Sequence, residues 1–240
     1  RGDRDVSQLI RDGFFVTAQL GILAFIMSSV VGLSLGILSA LNQNGILDYV
    51  GVFFATIGAA LPNFVMASFL IIIFAINLGW FQVLGWGGPI QLSQALDPSA
   101  WDWKKMILPV IAVSTLPAAY IARVTRASML EVLNQDYMRT ARAKGLANLT
   151  VIGRHGLKNA LIPVLTVMGP IAAVLVTGSF IIETVFAIPG VGRAFVDAVA
   201  RRDYAMIMGS TLFYAVIVAV ANLVVDILYA AVDPRIRYGR

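Results

Sequence analysis

Five long runs in this chain carry no charged side chain within them, and that constrains the fold more than any other feature. They are Phe14–Leu41, Tyr49–Leu78, Met106–Ala122 (able to extend to Thr125), Ile162–Ile182 with Glu183 at its far end, and Ala205–Val225, continuing past Asp226 to Val232. A helix that crosses a bilayer needs about 20 mostly apolar residues, because the hydrocarbon core is roughly 30 Å thick and each helical residue rises about 1.5 Å. Each run meets that length. Hydrophobic residues make up 59% of the 240 and charged residues only 13%, too little charge to cover the surface of a soluble domain. The expected fold is an all-α membrane protein with five spanning helices.

The connections divide into two kinds. Asn42–Asp48 is a tight turn and Ala127–Leu161 a long polar stretch with Arg139, Arg142, Lys144, Arg154 and Lys158, whereas Trp80–Lys105 and Ala187–Tyr204 read as loops rich in Gly, Pro and aromatic residues. With five spans, Ala127–Leu161 shares a side with Asn42–Asp48 and the C-terminal tail. That side holds ten Lys/Arg against eight on the other, which favours placing it in the cytoplasm. Trp80, Phe81, Trp86, Trp101 and Trp103 gather on the opposite side, as an interfacial aromatic belt does. The N-terminus is thus expected outside and the C-terminus inside. Residues 1–13 are expected to form an external interfacial segment, with a short helix over Val6–Asp12, before the membrane domain of residues 14–240. The opening Arg1-Gly2-Asp3-Arg4-Asp5 has neither an initiator Met nor a signal-peptide pattern, and an odd span count suits a chain that starts inside a longer protein.

Several chemistries are excluded. There is no cysteine, hence no disulfide, thiol nucleophile or Cys-based metal site. The one histidine, His155, cannot build a His cluster, and it has no catalytic partner in the sequence. No G-x-x-x-x-G-K-[ST], G-x-S-x-G or H-E-x-x-H pattern occurs. No enzyme active site, cofactor site or metal site is expected in this chain.

The polar stretch has helix grammar. Asp136–Leu146 reads as a helix stopped at Gly145, with basic residues in its last turn. A second short helix is expected over Thr150–Asn159, capped by Asn148 or Thr150. Met138, Leu146, Leu149 and Val151 are apolar residues in an exposed segment, a costly arrangement unless a partner covers them. Arg142, Lys144 and Arg154 supply charge for steering and pairing.

This segment resembles the EAA loop of ABC-importer permeases: Arg139-Thr140-Ala141-x3-Gly145, nine residues, then His155-Gly156-Leu157. The variant Thr-Ala-Arg-Ala-Lys-Gly, followed by Arg154-His155-x-Leu157-Lys158-x-Ala160-Leu161-x-Pro163, is similar to the peptide, opine and nickel branch. Ile182-Glu183-Thr184-Val185-Phe186 with Pro189-Gly190-x-Gly192, Arg202-Asp203-Tyr204, and Asp226-x2-Tyr229-x3-Asp233-Pro234-Arg235-x-Arg237-Tyr238 agree with it. Together they most resemble the first of the two membrane subunits of oligopeptide permeases. The resemblance implies a type I (MetI-like) transmembrane domain with five of six helices present. It also implies a place in a bacterial cytoplasmic membrane and the import of oligopeptides or dipeptides. The implied partners are a second permease, two cytoplasmic ATPases that hold the ATP and Mg, and an external peptide-binding protein, with no nucleic acid. The coupling residues it implies are Arg139, Thr140, Ala141, Arg142, Lys144, Gly145, Leu146, Arg154 and His155. Arg139 and Lys158 depart from a frequent Glu and Pro of such loops. Gly156 replaces a more usual Ala and is expected to loosen the second short helix. Nickel or another small solute is the alternative cargo. A secondary transporter or channel would carry internal repeats, of which none is evident.

Prolines at 62, 109, 117, 163 and 170 lie inside the spans and remove backbone hydrogen bonds there, serving either packing or a moving gate. Asn63, Thr177 and Glu183 are the first choices for a polar pathway, with Ser68, Asn77, Ser114, Thr115, Thr166 and Ser179 as further polar positions. Glu183 lies near hydrocarbon, where charge is costly and often functional. A structural role fits it as well as a functional one, the latter being a pathway wall or a contact for a peptide's positive end. Asp226 is level with Arg123 and Arg126, and an ion pair with one of them is expected.

Overall fold

The computed structural model describes residues 5–91, 94–95 and 97–232. Among them every regular element is helical. The helices are α1 Val6–Leu41, α2 Ile46–Ala60, α3 Asn63–Leu70 (continued by a π-turn, Ile71–Asn77), α4 Trp103–Leu133 and α5 Asp136–Ala143. After them come α6 Asn148–Thr150 with a π-turn Val151–Leu157, α7 Lys158–Thr177, α8 Phe180–Val185, α9 Val191–Arg201 and α10 Tyr204–Val232. Four helices in this set are long and apolar enough to cross a membrane, and five if the broken pair α2–α3 counts as one span.

The sequence runs and the helices differ where backbone chemistry overrides hydropathy. Val6–Asp12 is no separate interfacial helix: it forms the first turns of a continuous 36-residue α1. Tyr49–Leu78 is broken because Pro62 disfavours helix in the residue before it, and both Leu61 and Pro62 are extended. The other four span prolines, Pro109, Pro117, Pro163 and Pro170, lie within unbroken α4 and α7. The run ending at Ile182 stops early at Gly178, which has φ +94°. The polar stretch is shorter than the charges suggested, since α4 runs on to Leu133. Ala187–Tyr204, expected as a loop, contains α9.

Contacts divide the chain into two units, residues 1–25, 62–114 and 170–240, and residues 26–61 and 115–169. In the second, small residues let backbones approach, the way helices associate without a hydrophobic drive between them. A Cβ on Gly32 would lie 2.8 Å from the Ala118 carbonyl oxygen of α4, and one on Gly36 2.6 Å from that of Ala122. Ala55, Ala119 and Ala122 form a buried cluster with Leu35 and Ala59 around it. Arg126 locks this packing with a fork, Nε to Asp48 Oδ1 and Nη2 to Asp48 Oδ2, each 2.7 Å. Ser39 Oγ donates to Oδ1 of the same carboxylate, and the Asn44 amide donates to Oδ2 at 3.0 Å. The expected ion pair of Asp226 with Arg123 or Arg126 involves a side chain, that of Asp226, outside the described set, as are the tail arginines and the motif from Asp233 onward.

In the first unit, Ile10, Ala198 and Met206 form a core with Val6, Ala194, Ile207 and Phe213 packed on it, and Phe14 meets Phe213 edge-on at 5.1 Å. The segment Trp86–Pro89 is buried and pinned to α1: Gln19 Nε2 donates to the Pro89 carbonyl at 2.9 Å, and Trp86 Nε1 donates to Gln19 Oε1 at 3.3 Å.

Candidate functional site

Two constellations carry the residues singled out above, one in each unit.

The exposed one is the arm from Asp136 to Leu157. Helix α5 closes with two bonds, Gly145 N–H to the Arg142 carbonyl at 3.0 Å and Leu146 N–H to the Ala141 carbonyl at 3.4 Å. That is the Schellman pattern, which needs a left-handed residue at the position Gly145 occupies. Gly145 has φ +78° and nothing within 4 Å of a would-be Cβ. Glycine is required there by backbone conformation and not by space. Arg139 and Asp136 approach at 3.8 Å, but both are mostly in solvent, so the pair adds little.

The four apolar residues of the arm have two different fates. Met138 and Val151, expected to await a partner, are fully buried and pack on each other with Ala141 and Leu133. They hold α5 onto the π-turn. Leu146 remains 43% exposed and Leu149 86% exposed. Arg139, Thr140, Arg142, Lys144, Gly145 and Arg154 are exposed alongside them, while Ala141 is buried and His155 half-buried. The exposed surface of the arm thus carries Leu146 and Leu149 together with Arg139, Arg142, Lys144 and Arg154, on a buried seat. The second short helix is not a separate element: it begins after Ala147 with no side-chain cap and runs through the π-turn into α7. Gly156 lies inside that continuous winding. A Cβ there would meet the Met138 methyl at 3.3 Å, so the absent side chain is the space Met138 fills.

The buried constellation centres on Glu183, which is 0% exposed. Thr17 Oγ1 donates to Glu183 Oε1 at 3.0 Å and accepts the Val191 amide at 3.0 Å. The Arg193 amide donates to Glu183 Oε2 at 3.2 Å. The carboxylate thus sits on the first turn of α9, where free N–H groups and the helix dipole favour an anion. Three glycines leave room for it. A Cβ on Gly190 would come within 2.3 Å of Oε2, one on Gly192 within 2.8 Å, and one on Gly178 within 2.8 Å of Oε1 and 2.3 Å of the Thr17 methyl. Glu183 is consumed by its own chain in this structure and presents no oxygen to a passing solute. Arg193 Nη1 donates to the Ala187 carbonyl at 2.7 Å, and the Gly85 amide donates to the Phe186 carbonyl at 2.8 Å. Both bonds tighten the α8–α9 turn.

Of the other pathway choices, Thr177 Oγ1 donates back to Val174 O at 2.6 Å. Asn63 is half-buried at the start of α3, a helix that packs against α8. Ser68, Ser114 and Thr166 also bond carbonyls of their own helices. Sequence reasoning missed α9 and Asp48. The apolar spacing Val191, Phe195, Ala198, Val199 after Gly190 was the available signal for the helix. An acid at the mouth of a charge-free run was the signal for Asp48.

The family model described as binding-protein-dependent transport system inner membrane component matches residues 32–238. The chain is 45% identical over 232 residues to the dipeptide transport system permease protein DppB of Bacillus subtilis, covering 97% of this chain and 71% of that protein. It is 43% identical over 236 residues to the oligopeptide transport system permease protein OppB of Salmonella typhimurium, covering 98% and 73%. Among solved structures, the MetNI methionine ABC transporter in an inward-facing form aligns with TM-score 0.72 at 17% identity, over 95% of this chain and 97% of the other. An amino acid ABC transporter with histidines aligns with TM-score 0.71 at 16% identity, over 94% of each chain. At those identities the two structures speak for the fold alone, the MetI-like transmembrane domain.

Proposed function

We infer the role of this chain from its membership of the binding-protein-dependent transport system inner membrane component family, to which it belongs. It is a multi-pass inner-membrane permease subunit of a peptide-importing ABC transporter, working with ATPase and binding-protein partners. In our reading it forms half of the pathway for dipeptides or oligopeptides. A second, homologous permease supplies the other half, two cytoplasmic ATPases bind ATP and Mg, and the chain itself performs no catalysis. The N-terminus lies outside and the arm and C-terminus lie in the cytoplasm.

The observation that carries the coupling role is the exposed leucine pair on its seated arm. Leu149 at 86% exposure and Leu146 at 43% are apolar side chains held out into solvent by a segment whose Met138, Ala141 and Val151 are buried. Arg142, Lys144 and Arg154 on the same arm suit an acidic-rimmed groove on an ATPase. Tagging this chain in native membranes and identifying what co-purifies tests the division of labour. A second permease, P-loop ATPases and a peptide-binding protein are expected. Recovery of the chain alone, from membranes that express those subunits, would overturn it. Uptake of labelled alanine di- and tetrapeptides by the reconstituted complex tests the cargo, and nickel uptake without peptide uptake would reject it.

A further inference from the structure

The π-turn Val151–Leu157 has two working faces. On one, Val151 packs with Met138, Ala141 and Leu133, and Gly156 receives the Met138 methyl. On the other, Ile152 and Leu157 pack on a second cluster, Ala40 of α1, Met129 of α4 and Ala160 of α7. Val151 and Gly156 are five residues apart, and so are Ile152 and Leu157. In an α-helix of about 3.6 residues per turn, a five-residue step leaves two side chains about 140° apart around the axis. Neither pair would then share a face. A π-turn closes its hydrogen bonds over five residues, and that winding lets each pair point one way.

The connections of the arm are unequal. Between α4 and α5 lies a non-helical turn at Asn134 and Gln135, whereas winding is unbroken from Asn148 through the π-turn to Thr177. A polar tie crosses the same junction: Asn159 Nδ2 donates to Tyr137 Oη of α5 at 3.0 Å and to the His155 carbonyl at 3.1 Å. Gly153 sits on the exposed side of the turn with nothing within 4 Å of a would-be Cβ.

We propose that the Val151–Leu157 π-turn is the joint through which displacement of α5 is delivered to α7, with Met138 and Gly156 as its seat and Tyr137 and Asn159 as positioning residues. This rests on the reading of the arm as the ATPase-docking element. The Ala40–Met129–Ala160 cluster acts as the fulcrum, since it takes Ile152 and Leu157 of the turn, while α5 takes Val151, and Leu133 packs on both. The winding also sets the phase of the joint. Adding one residue to the turn puts six positions between the members of each pair, a step that neither winding brings back to one face, and turns everything after it by about 100° relative to α5. The seat and the fulcrum can then no longer both be engaged.

The test uses the whole importer, reconstituted in vesicles, with three readings: ATPase subunits recovered with the permease, ATP hydrolysed, and labelled alanine di- and tetrapeptide taken up. Inserting one alanine after Gly153 is expected to keep the subunits and the hydrolysis while lowering peptide moved per ATP at least tenfold. Asn159→Ala and Tyr137→Phe are each expected to lower that ratio two- to fivefold. They also decide the matter should the insertion variant fail to accumulate. An unchanged ratio in the insertion, or in both point variants, overturns the joint, and so does a fall in hydrolysis that matches the fall in uptake. Leu149→Asp tests the underlying reading separately. Loss of ATPase subunits supports docking by the arm, and full recovery with normal uptake removes the docking role whatever the joint does.

Discussion

Thr17 of α1 and Glu183 of α8 share one hydrogen bond of 3.0 Å, and the same threonine hydroxyl accepts the Val191 amide of α9. A single side-chain oxygen thereby ties three helices, with the carboxylate held between a hydroxyl and the start of a helix. Neither group has water as an alternative partner, because both are fully buried.

Thr17→Val keeps the shape and removes both bonds. An unmet buried donor or acceptor costs about 1–3 kcal/mol, and more for a charged group. We expect a loss of about 2–4 kcal/mol, read as a lower unfolding temperature of the purified subunit in detergent. Thr17→Ser should retain most of the stability. A Val variant as stable as the parent would show that the hydroxyl contributes nothing.

Gly190→Ala should be destabilising and Gly153→Ala harmless, although each adds one methyl group. The first would push a Cβ to 2.3 Å from Glu183 Oε2, and the second meets open space. Helical propensity favours Ala over Gly by up to about 1 kcal/mol, so Gly153→Ala is expected to be neutral or slightly stabilising. Comparing the two in one thermal-shift experiment removes any general effect of the added methyl.

Arg126 and Asp48 should show strong coupling. Removing one member of a buried pair leaves an uncompensated charge and costs about 3–5 kcal/mol. Arg126 is 30% exposed, which places the expected loss for Asp48→Asn near ~3 kcal/mol. A double-mutant cycle with Arg126→Met should return an interaction energy above about 1 kcal/mol. Additive single effects would mean that the fork is incidental.

Gly145→Val should cut peptide uptake while leaving the membrane helices folded. The residue stands at φ +78°, a region that costs a β-branched side chain roughly 1–2 kcal/mol, and the strain falls on the exposed end of α5. Gly145→Asn, which tolerates that backbone, should keep most of the uptake. Equal uptake by the Val variant would separate the α5 stop from function.

Much of this was legible in the sequence because bilayers and helix ends use coarse signals. Charge-free length marked the spans, and Gly145 marked the end of α5 through its backbone requirement. The rest depended on contacts between distant residues. Met138 and Leu149 are alike as apolar letters in a polar segment, and only the π-turn decides that one is seated and the other left outside. Glu183 read equally as a structural or a pathway group because no local pattern shows that Thr17, far away in the chain, and the first turn of α9 converge on it. The π-turn leaves a five-residue spacing of its packed pairs, a period absent from ordinary helix reading.

The bond between Thr17 and Glu183 also fixes an order of events during synthesis. The two residues are separated by 166 positions. At about 5–20 residues per second, the ribosome needs roughly 8–33 s to travel between them. During that interval the Thr17 hydroxyl lacks both partners, and threonine in a helix can turn its hydroxyl to its own backbone instead. The knot at Glu183 is therefore tied late, once α9 has been made. A subunit that fails to tie it would be finished as a chain and unfinished as a part, open to the quality-control proteases of the membrane before it meets its partners.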